Sequence, residues 1–337
     1  MIKEALSLIV EGQDLTREHA RDVMRAITEG DATPAQIGGL LTALRVKGEA
    51  VDEIVGFAEI MREKVTPVPT ARTTIVDVVG TGGDGLNTLN VSTLSALTAA
   101  GAGAVVAKHG NRAVSSKCGS ADILAALGVN LDAPVEVLTQ CLDELGIAFL
   151  FAPNLHPAMK HAAGPRRDLG MRTVFNILGP MTNPAGAHCL VLGVYDLALT
   201  EPVAQALCEL GVQRAFVVHG VPGMDEISTV GETRLSEVNN GKVRTFQITP
   251  QEFGLEPANI NALIGGETPE EHLAIAQSVL NAEPGPARDI VILNAAATLA
   301  AAGVVESIGQ GVSSARASLE SGVAREKLQA LVEKTNA

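Results

Sequence analysis

Hydrophobic positions in the first 65 residues recur at helical spacing. Ile37, Leu40, Leu41 and Leu44 fall on one face, and Val51, Ile54, Val55, Ala58 and Met61 make another. The start signals agree. Thr16 can cap a helix running to about Thr28, and Thr33-Pro34-Ala35-Gln36 offers a cap, a proline at the first helical position and an amide that reaches back. Residues 1–65 therefore read as all helix, and Val65-Thr66-Pro67-Val68-Pro69 as a linker. After residue 72 the pattern changes. Apolar runs at 74–79, 104–108, 147–151, 189–194 and 214–218 read as strands, with helices at 91–100, 120–127, 134–145 and 201–210. This alternation implies a mostly parallel sheet covered on both faces. Residues 227–248 read as a short strand meander turning at Asn239-Asn240-Gly241, and Thr268-Pro269-Glu270-Glu271 caps another helix. The segment 156–180, polar and basic before Phe175-Asn176-Ile177-Leu178-Gly179-Pro180, can cross back to the helical block.

Composition adds constraints. The 337 residues are enough for two domains and a large core, and 46% are hydrophobic while only 2% are aromatic, so Ala, Val, Leu and Ile must build that core. The net charge of −13 argues against nucleic acid or an anionic membrane as partner. The stretch Ile290 to Val305 is shorter than the about 20 residues of a membrane span and reads as a buried helix. Cys118, Cys141, Cys189 and Cys208 show no metal-binding spacing and read as reduced thiols of a cytoplasmic protein. Met1-Ile2-Lys3-Glu4 lacks the layout of a signal peptide.

The chemistry concentrates in four places. Thr74 to Val79 feeds Gly80-Thr81-Gly82-Gly83-Asp84-Gly85, a turn that lets backbone N–H groups approach a phosphate. It fits the dinucleotide spacing G-x-G-x-x-G, but the acid that would hold a ribose about 25 residues later is missing. Instead the next apolar run ends in Lys108-His109-Gly110-Asn111-Arg112. From Lys108 to Lys117 the chain carries Lys108, His109, Arg112 and Lys117 and no acid, a local positive patch on an acidic chain. Thr88, Asn90, Ser92 and Thr93 crowd the glycine turn with hydroxyls and an amide where a helix begins. Cations, glycines and serines alternate from Lys108 to Asp122, a mix that can wrap phosphate; together the two loops suggest a ligand with more than one phosphate. The adjacent pair Asp225-Glu226 reads either as exposed charge or as ligands for Mg2+ beside a diphosphate, and Asp84 fits the same economy of charge. His156-Pro157-Ala158-Met159-Lys160 and Arg166-Arg167 can bind an aromatic amine and a carboxylate. There is no G-x-x-x-x-G-K-[ST] loop and no G-x-S-x-G elbow, so neither ATPase chemistry nor a covalent nucleophile has a motif.

The sequences GTGGDG-x-x-T-x-N-V-S-T, KHGNR-x-x-SS-x-x-GSAD, HPAMK followed by R-x-LG-x-RT-x-FN-x-LGP-x-x-NP, and the Asp-Glu pair occur in order along the whole chain. Together they resemble the anthranilate phosphoribosyltransferase family. The resemblance implies an α/β fold in two parts: a small N-terminal helical domain over residues 1–70, joined by a returning segment near 165–185, and a larger α/β domain over 71–337 with a mostly parallel sheet and flanking helices. It implies a homodimer, a Mg2+ requirement, and transfer of a phosphoribosyl group from phosphoribosyl pyrophosphate to the amine of anthranilate. Carried over by position, Gly80, Gly82, Gly83, Asp84, Thr88, Asn90, Val91, Ser92 and Thr93 would hold phosphoribosyl pyrophosphate. Lys108, His109, Gly110, Asn111, Arg112, Ala113, Val114, Ser115 and Ser116, with Ser120, would close over its phosphates. Ser92, Asp225 and Glu226 would hold magnesium; Asn111, His156 and Arg166 would bind anthranilate, with Gly80 and Gly179 leaving room for its ring. Lys108, Asp84, Asp225 and Glu226 would carry the catalysis. Two positions depart from the family pattern: Leu89 stands where Phe is common, and Pro165 precedes Arg166 where Val is usual. A neutral aromatic amine already has a lone pair, so no strong base is required.

Three other readings share parts of this pattern. A pyrimidine-nucleoside phosphorylase also works at a ribose C1, but would leave the acidic pair and the basic loop without a task. A noncatalytic phosphosugar sensor would bind its ligand but release no pyrophosphate. A transferase with another aromatic acceptor would use the same Arg166 and His156.

Overall fold

The computed structural model describes residues 2–113 and 117–337. Four helices come first: α1 (Ile2–Val10), α2 (Arg17–Glu29), α3 (Pro34–Lys47) and α4 (Val51–Lys64). Thr16 Oγ1 accepts from the His19 N–H at the start of α2, and Gly30 ends that helix with φ 84°. Thr33 and Gln36 exchange reciprocal bonds at the start of α3. Glu53 braces the bundle from within. It is fully buried and accepts from the Leu15 and Ala50 N–H groups and from Lys47 Nζ.

The sheet has seven strands: β1 (Val76–Gly80), β2 (Val106–Gly110), β3 (Ile147–Phe151), β4 (Cys189–Gly193), β5 (Arg214–Gly220), β6 (Thr233–Asn239) and β7 (Lys242–Ile248). Their spatial order is β3-β2-β1-β4-β5-β6-β7. The first five run parallel, and β6 and β7 are antiparallel additions at one edge. Their hairpin turns on Asn240 and Gly241, both at positive φ, 48° and 76°. The meander therefore starts only at Thr233; residues 227–232 are irregular.

The flanking helices are α5 (Val91–Gly101), α6 (Ser120–Ala126), α7 (Val135–Gln140), α8 (Ala152–Leu155), α9 (Lys160–Leu169), α10 (Val174–Leu178), α11 (Thr200–Glu209), α12 (Pro269–Leu280), α13 (Pro286–Ala301), α14 (Ile308–Glu320) and α15 (Val323–Asn336). The expected helix over 134–145 keeps α-geometry only to Gln140 and ends in a π-type turn, Cys141–Leu145. One core fills the space between one sheet face and α5, α13, α14 and α15. A second joins α1–α4 to α10, α11 and the other face of β4 and β5. Both are built mainly of aliphatic side chains. The returning segment packs back on the bundle: α9 lies against α2 and α3, α10 against α3 and α4, and Arg62 Nε donates to the Met181 carbonyl at 2.8 Å. The four cysteines are free thiols, three of them buried. Among the described residues no helix is long and apolar enough to cross a membrane.

Candidate active site

The order β3-β2-β1-β4-β5 reverses direction at the boundary between β1 and β4. Open α/β sheets bind ligands beyond the carboxyl ends of their strands at such a point. Gly80 ends β1 and Gly193 ends β4, and the acidic pair after β5 is drawn into the gap between them. A Cβ at Gly193 would fall onto the Asp225 carbonyl, and one at Gly80 onto the Asp225 carboxylate. The space a side chain at Gly80 would take is thus filled by Asp225. Beside Gly179 the space is open.

Asp225 Oδ2 accepts from the Gly82 N–H at 2.6 Å, which ties the acidic pair to the glycine turn. Gly82, Gly83 and Gly85 all adopt positive φ, 69° to 78°, so the turn depends on glycine. Arg172 lies over the Tyr195 ring, 4.5 Å from its centroid, and packs on Gly83, where a Cβ would meet Arg172 Nε at 2.7 Å. One oxygen each of Asp84, Asp225 and Glu226 lie within 4.8 Å of one another. Asp84 Oδ2 and Glu226 Oε2 are buried and have no hydrogen-bond partner among the described residues; nor has Thr93 Oγ1 on the first turn of α5. Unpaired buried oxygens cost about 1–3 kcal/mol each, more when charged. Burial and the nearby Asp84 push Asp225 up to about 7, and burial with Asp225 and Asp84 holds Glu226 well above the usual carboxylate range. An all-oxygen, mutually repelling, under-bonded set is what a hard divalent cation such as Mg2+ needs. The residues present fit that ion.

Lys108 lies in the expected strand, but β2 runs on to Gly110, so His109 is a strand residue too, and both side chains are buried. Burial lowers the Lys108 ammonium, against the pull of Asp77, Glu226 and Asp225. Asp77, fully buried under the site, accepts from the His109 N–H at 3.2 Å and from Asn183 Nδ2 at 2.8 Å. Burial pushes it up to about 6, with Lys108 and Asn183 pulling the other way. His109 Nε2 and His156 Nε2 are 3.1 Å apart. Two ring nitrogens can bond only if one carries a proton and the other does not. Burial, chiefly, holds both rings neutral, at about 3 for His109 and about 4 for His156.

The basic stretch is not bare. Arg112 Nη1 donates to Asp122 Oδ1 at 2.9 Å, and Asp122 Oδ2 accepts from the Ala113 and Gly119 N–H groups. Lys117 pairs with Glu267 at 3.3 Å. The acids that pair with Arg112 and Lys117 come from outside the stretch in sequence. Ser120 Oγ donates to the Asn111 carbonyl and so ties the two ends of the loop. The expectations for Val114, Ser115 and Ser116 lie outside the described residues. Val91 and Thr93 are buried in the first turn of α5, and Ser92 is half-buried there. Asn90 braces this turn: its Nδ2 donates to the Cys118 carbonyl and its Oδ1 faces His272 Nδ1 at 3.2 Å. Thr88 bridges to Ile264, and Leu89 is buried, its N–H bonded to the Leu263 carbonyl.

Arg166 sits on the last turn of α9, which continues through Pro165 to Leu169. Its guanidinium lies over the Phe175 ring, 5.1 Å from the centroid. Burial alone lowers it, with no acid acting on it. Among the described residues it is a cation with no anion in place. Asp77, Asn183, Asp122 and His272 had no assigned role in the sequence. The signal for Asp77 was an acid in the middle of an apolar run, and that for Asp122 its place three residues after Gly119.

Two family models match: the helical bundle domain of a glycosyl transferase family over residues 3–65, and its a/b domain over 72–325. The chain is therefore a member of a two-part glycosyl transferase family, with the glycine turn, the basic strand end and the acidic pair all in its a/b part. The anthranilate phosphoribosyltransferase of Moorella thermoacetica is 52% identical over 332 residues, covering 98% of each chain. The crystal structure of the Thermus thermophilus enzyme of that name superposes with a TM-score of 0.93 at 48% identity, covering 99% of both chains. The Saccharomyces cerevisiae enzyme, solved in complex with PRPP and Mg, gives 0.88 at 28% identity over 99% of this chain and 98% of that one. Solved with 4-fluoroanthranilate, the yeast enzyme gives 0.88 at 27% over 99% and 97%. The chain belongs to the anthranilate phosphoribosyltransferase family.

Proposed function

We propose that this chain transfers the phosphoribosyl group of phosphoribosyl pyrophosphate to the amine of anthranilate, yielding N-(5-phosphoribosyl)anthranilate and pyrophosphate for tryptophan biosynthesis. The observation that carries the reading is the joining of three clustered carboxylates, two of them with an unpartnered oxygen, to a positive-φ glycine turn and a buried lysine at the sheet's switch point. The turn from Gly80 to Gly83 and the first turn of α5, Asn90 to Thr93, present N–H and hydroxyl groups to phosphate oxygens. Lys108 and the loop to Ser120 add positive charge and further donors. Asp84, Asp225, Glu226 and Ser92 hold Mg2+, which when bound neutralises charge on the pyrophosphate. Arg166 pairs with the anthranilate carboxylate, and Asn111 and His156 line the amine and ring. The amine nitrogen attacks C1 of the ribose, the C1–O bond breaks, and the electron pair leaves with pyrophosphate. The protein positions the reactants and stabilises the separating charges. The same reading makes the enzyme a homodimer in the cytoplasm, on family resemblance alone.

The test follows anthranilate fluorescence while purified protein is mixed with phosphoribosyl pyrophosphate. Signal loss that needs both phosphoribosyl pyrophosphate and Mg2+, matched by pyrophosphate release, is expected. Ligand binding without signal loss would point to a phosphosugar sensor. Turnover of a nucleoside with inorganic phosphate would point to a phosphorylase.

A further inference from the structure

Every residue of α13 from Ile290 to Ala301 is buried, and among these aliphatic side chains stands Asn294, 1% exposed. A buried amide in such a helix is costly unless its polar atoms are bonded. Asn294 Oδ1 accepts from the Ile227 N–H at 2.9 Å, and Nδ2 donates to the Ile227 carbonyl at 2.8 Å and to the Ile290 carbonyl at 2.9 Å. One side chain therefore grips both backbone groups of a single residue, as a neighbouring strand would. That residue directly follows Asp225-Glu226. The residue directly before them, Met224, is held as firmly: its N–H and carbonyl both bond Gly220 at the end of β5, at 2.7 and 2.9 Å.

From this geometry we infer that Asn294 is a positioning residue for the two carboxylates. The acidic pair spans the gap between two backbone pins, one on β5 and one on α13. The pins hold the carboxylates beside Asp84 against their mutual repulsion, so the cation site is formed before the cation arrives. The inference rests on the proposed Mg2+ role of these residues. Groups behind metal ligands commonly alter metal affinity by roughly 10–100-fold when removed.

The experiment measures Mg2+ affinity by calorimetry, and by Mg2+-dependent thermal stabilisation, in wild type, Asn294→Leu and Asn294→Ala. A loss of roughly tenfold or more is expected in both variants, with the anthranilate KM near wild type. Leu299→Ala, buried on the same helix, controls for a weakened core and should lower Tm without changing Mg2+ affinity. A folded Asn294 variant with wild-type Mg2+ affinity would overturn the inference. If neither variant folds, hydrogen exchange of wild type decides. The Ile227 amide should be strongly protected without Mg2+, and free exchange there would overturn the pin. A wild-type protein with no Mg2+ response removes the metal reading and this inference with it. A normal wild-type response unaltered in the variants removes only this inference.

Discussion

Protons and Mg2+ should compete for the same carboxylates, and thermal stability reads that competition without turnover. Burial and the neighbouring Asp84 raise Asp225 from its ordinary 3.8 to about 7. The folded protein holds this proton more tightly than the unfolded chain does. Its contribution to stability is complete below about pH 4 and is lost as the pH rises through about 7. That rise corresponds to at most about 4 kcal/mol at full ionisation. Glu226, raised by burial, Asp225 and Asp84, adds to that loss, and Lys108 offsets part of it. A divalent cation among the three carboxylates relieves the repulsion. Mg2+ should therefore raise Tm by several degrees at about pH 8 and scarcely at about pH 5, where protons hold the site. The neutral His109–His156 pair works in the opposite direction, favouring the fold above about pH 6.5 and losing that support as the pH falls towards about 3 to 4. It moves the baseline at low pH but not the Mg2+ response. Scanning calorimetry with and without millimolar Mg2+, and without phosphoribosyl pyrophosphate, is the assay. Asp225→Asn with Glu226→Gln should be more stable than wild type at about pH 8 without Mg2+, blind to Mg2+, and steeply reduced in turnover with the fold intact. An equal Mg2+ shift at both pH values, or one retained in the double variant, would refute the reasoning.

Arg166→Ala removes a charge-assisted, two-point grip on a carboxylate and should raise the anthranilate KM by roughly ten- to hundredfold, more than it lowers kcat. An unchanged KM in steady-state kinetics would move that contact elsewhere. Gly193→Ala puts a Cβ onto the Asp225 carbonyl and should cost about 1–3 kcal/mol by denaturant titration, with loss of activity. Gly179→Ala meets open space and should leave stability unchanged while altering anthranilate KM; the reverse pattern would invalidate the packing argument. Glu53→Leu strands two backbone N–H groups, while Lys47 keeps Asp14 and the Gly48 carbonyl, and should destabilise the helical block by about 1–3 kcal/mol per stranded N–H in urea. A loss well below that would show that water replaces the carboxylate.

Local features were legible from the chain alone. Caps at Thr16 and Thr33, the Asn240-Gly241 turn and the two core faces of α3 and α4 depend on neighbours within one or two turns, so their physics is written in adjacent residues. The parallel sheet followed from alternating strand and helix periods, and the glycine turn and basic strand end from spacing and residue type. What only the tertiary structure decided are contacts between distant segments. Lys108 read as the end of a strand and His109 as part of a phosphate-wrapping loop, yet the strand continues to Gly110 and buries both side chains. Arg112 and Lys117 have no acid within their own stretch, yet Asp122 and Glu267 reach them from outside it. Asp84 meets Asp225 and Glu226 across a long stretch of chain because β1, β4 and β5 end side by side. Asn294 lies in a stretch that read only as a buried helix; its partner, Ile227, lies 67 residues earlier. Periodicity reports which face of an element is buried. It carries no term for which distant polar group will be waiting there, because that pairing is set by how the sheet and helices stack.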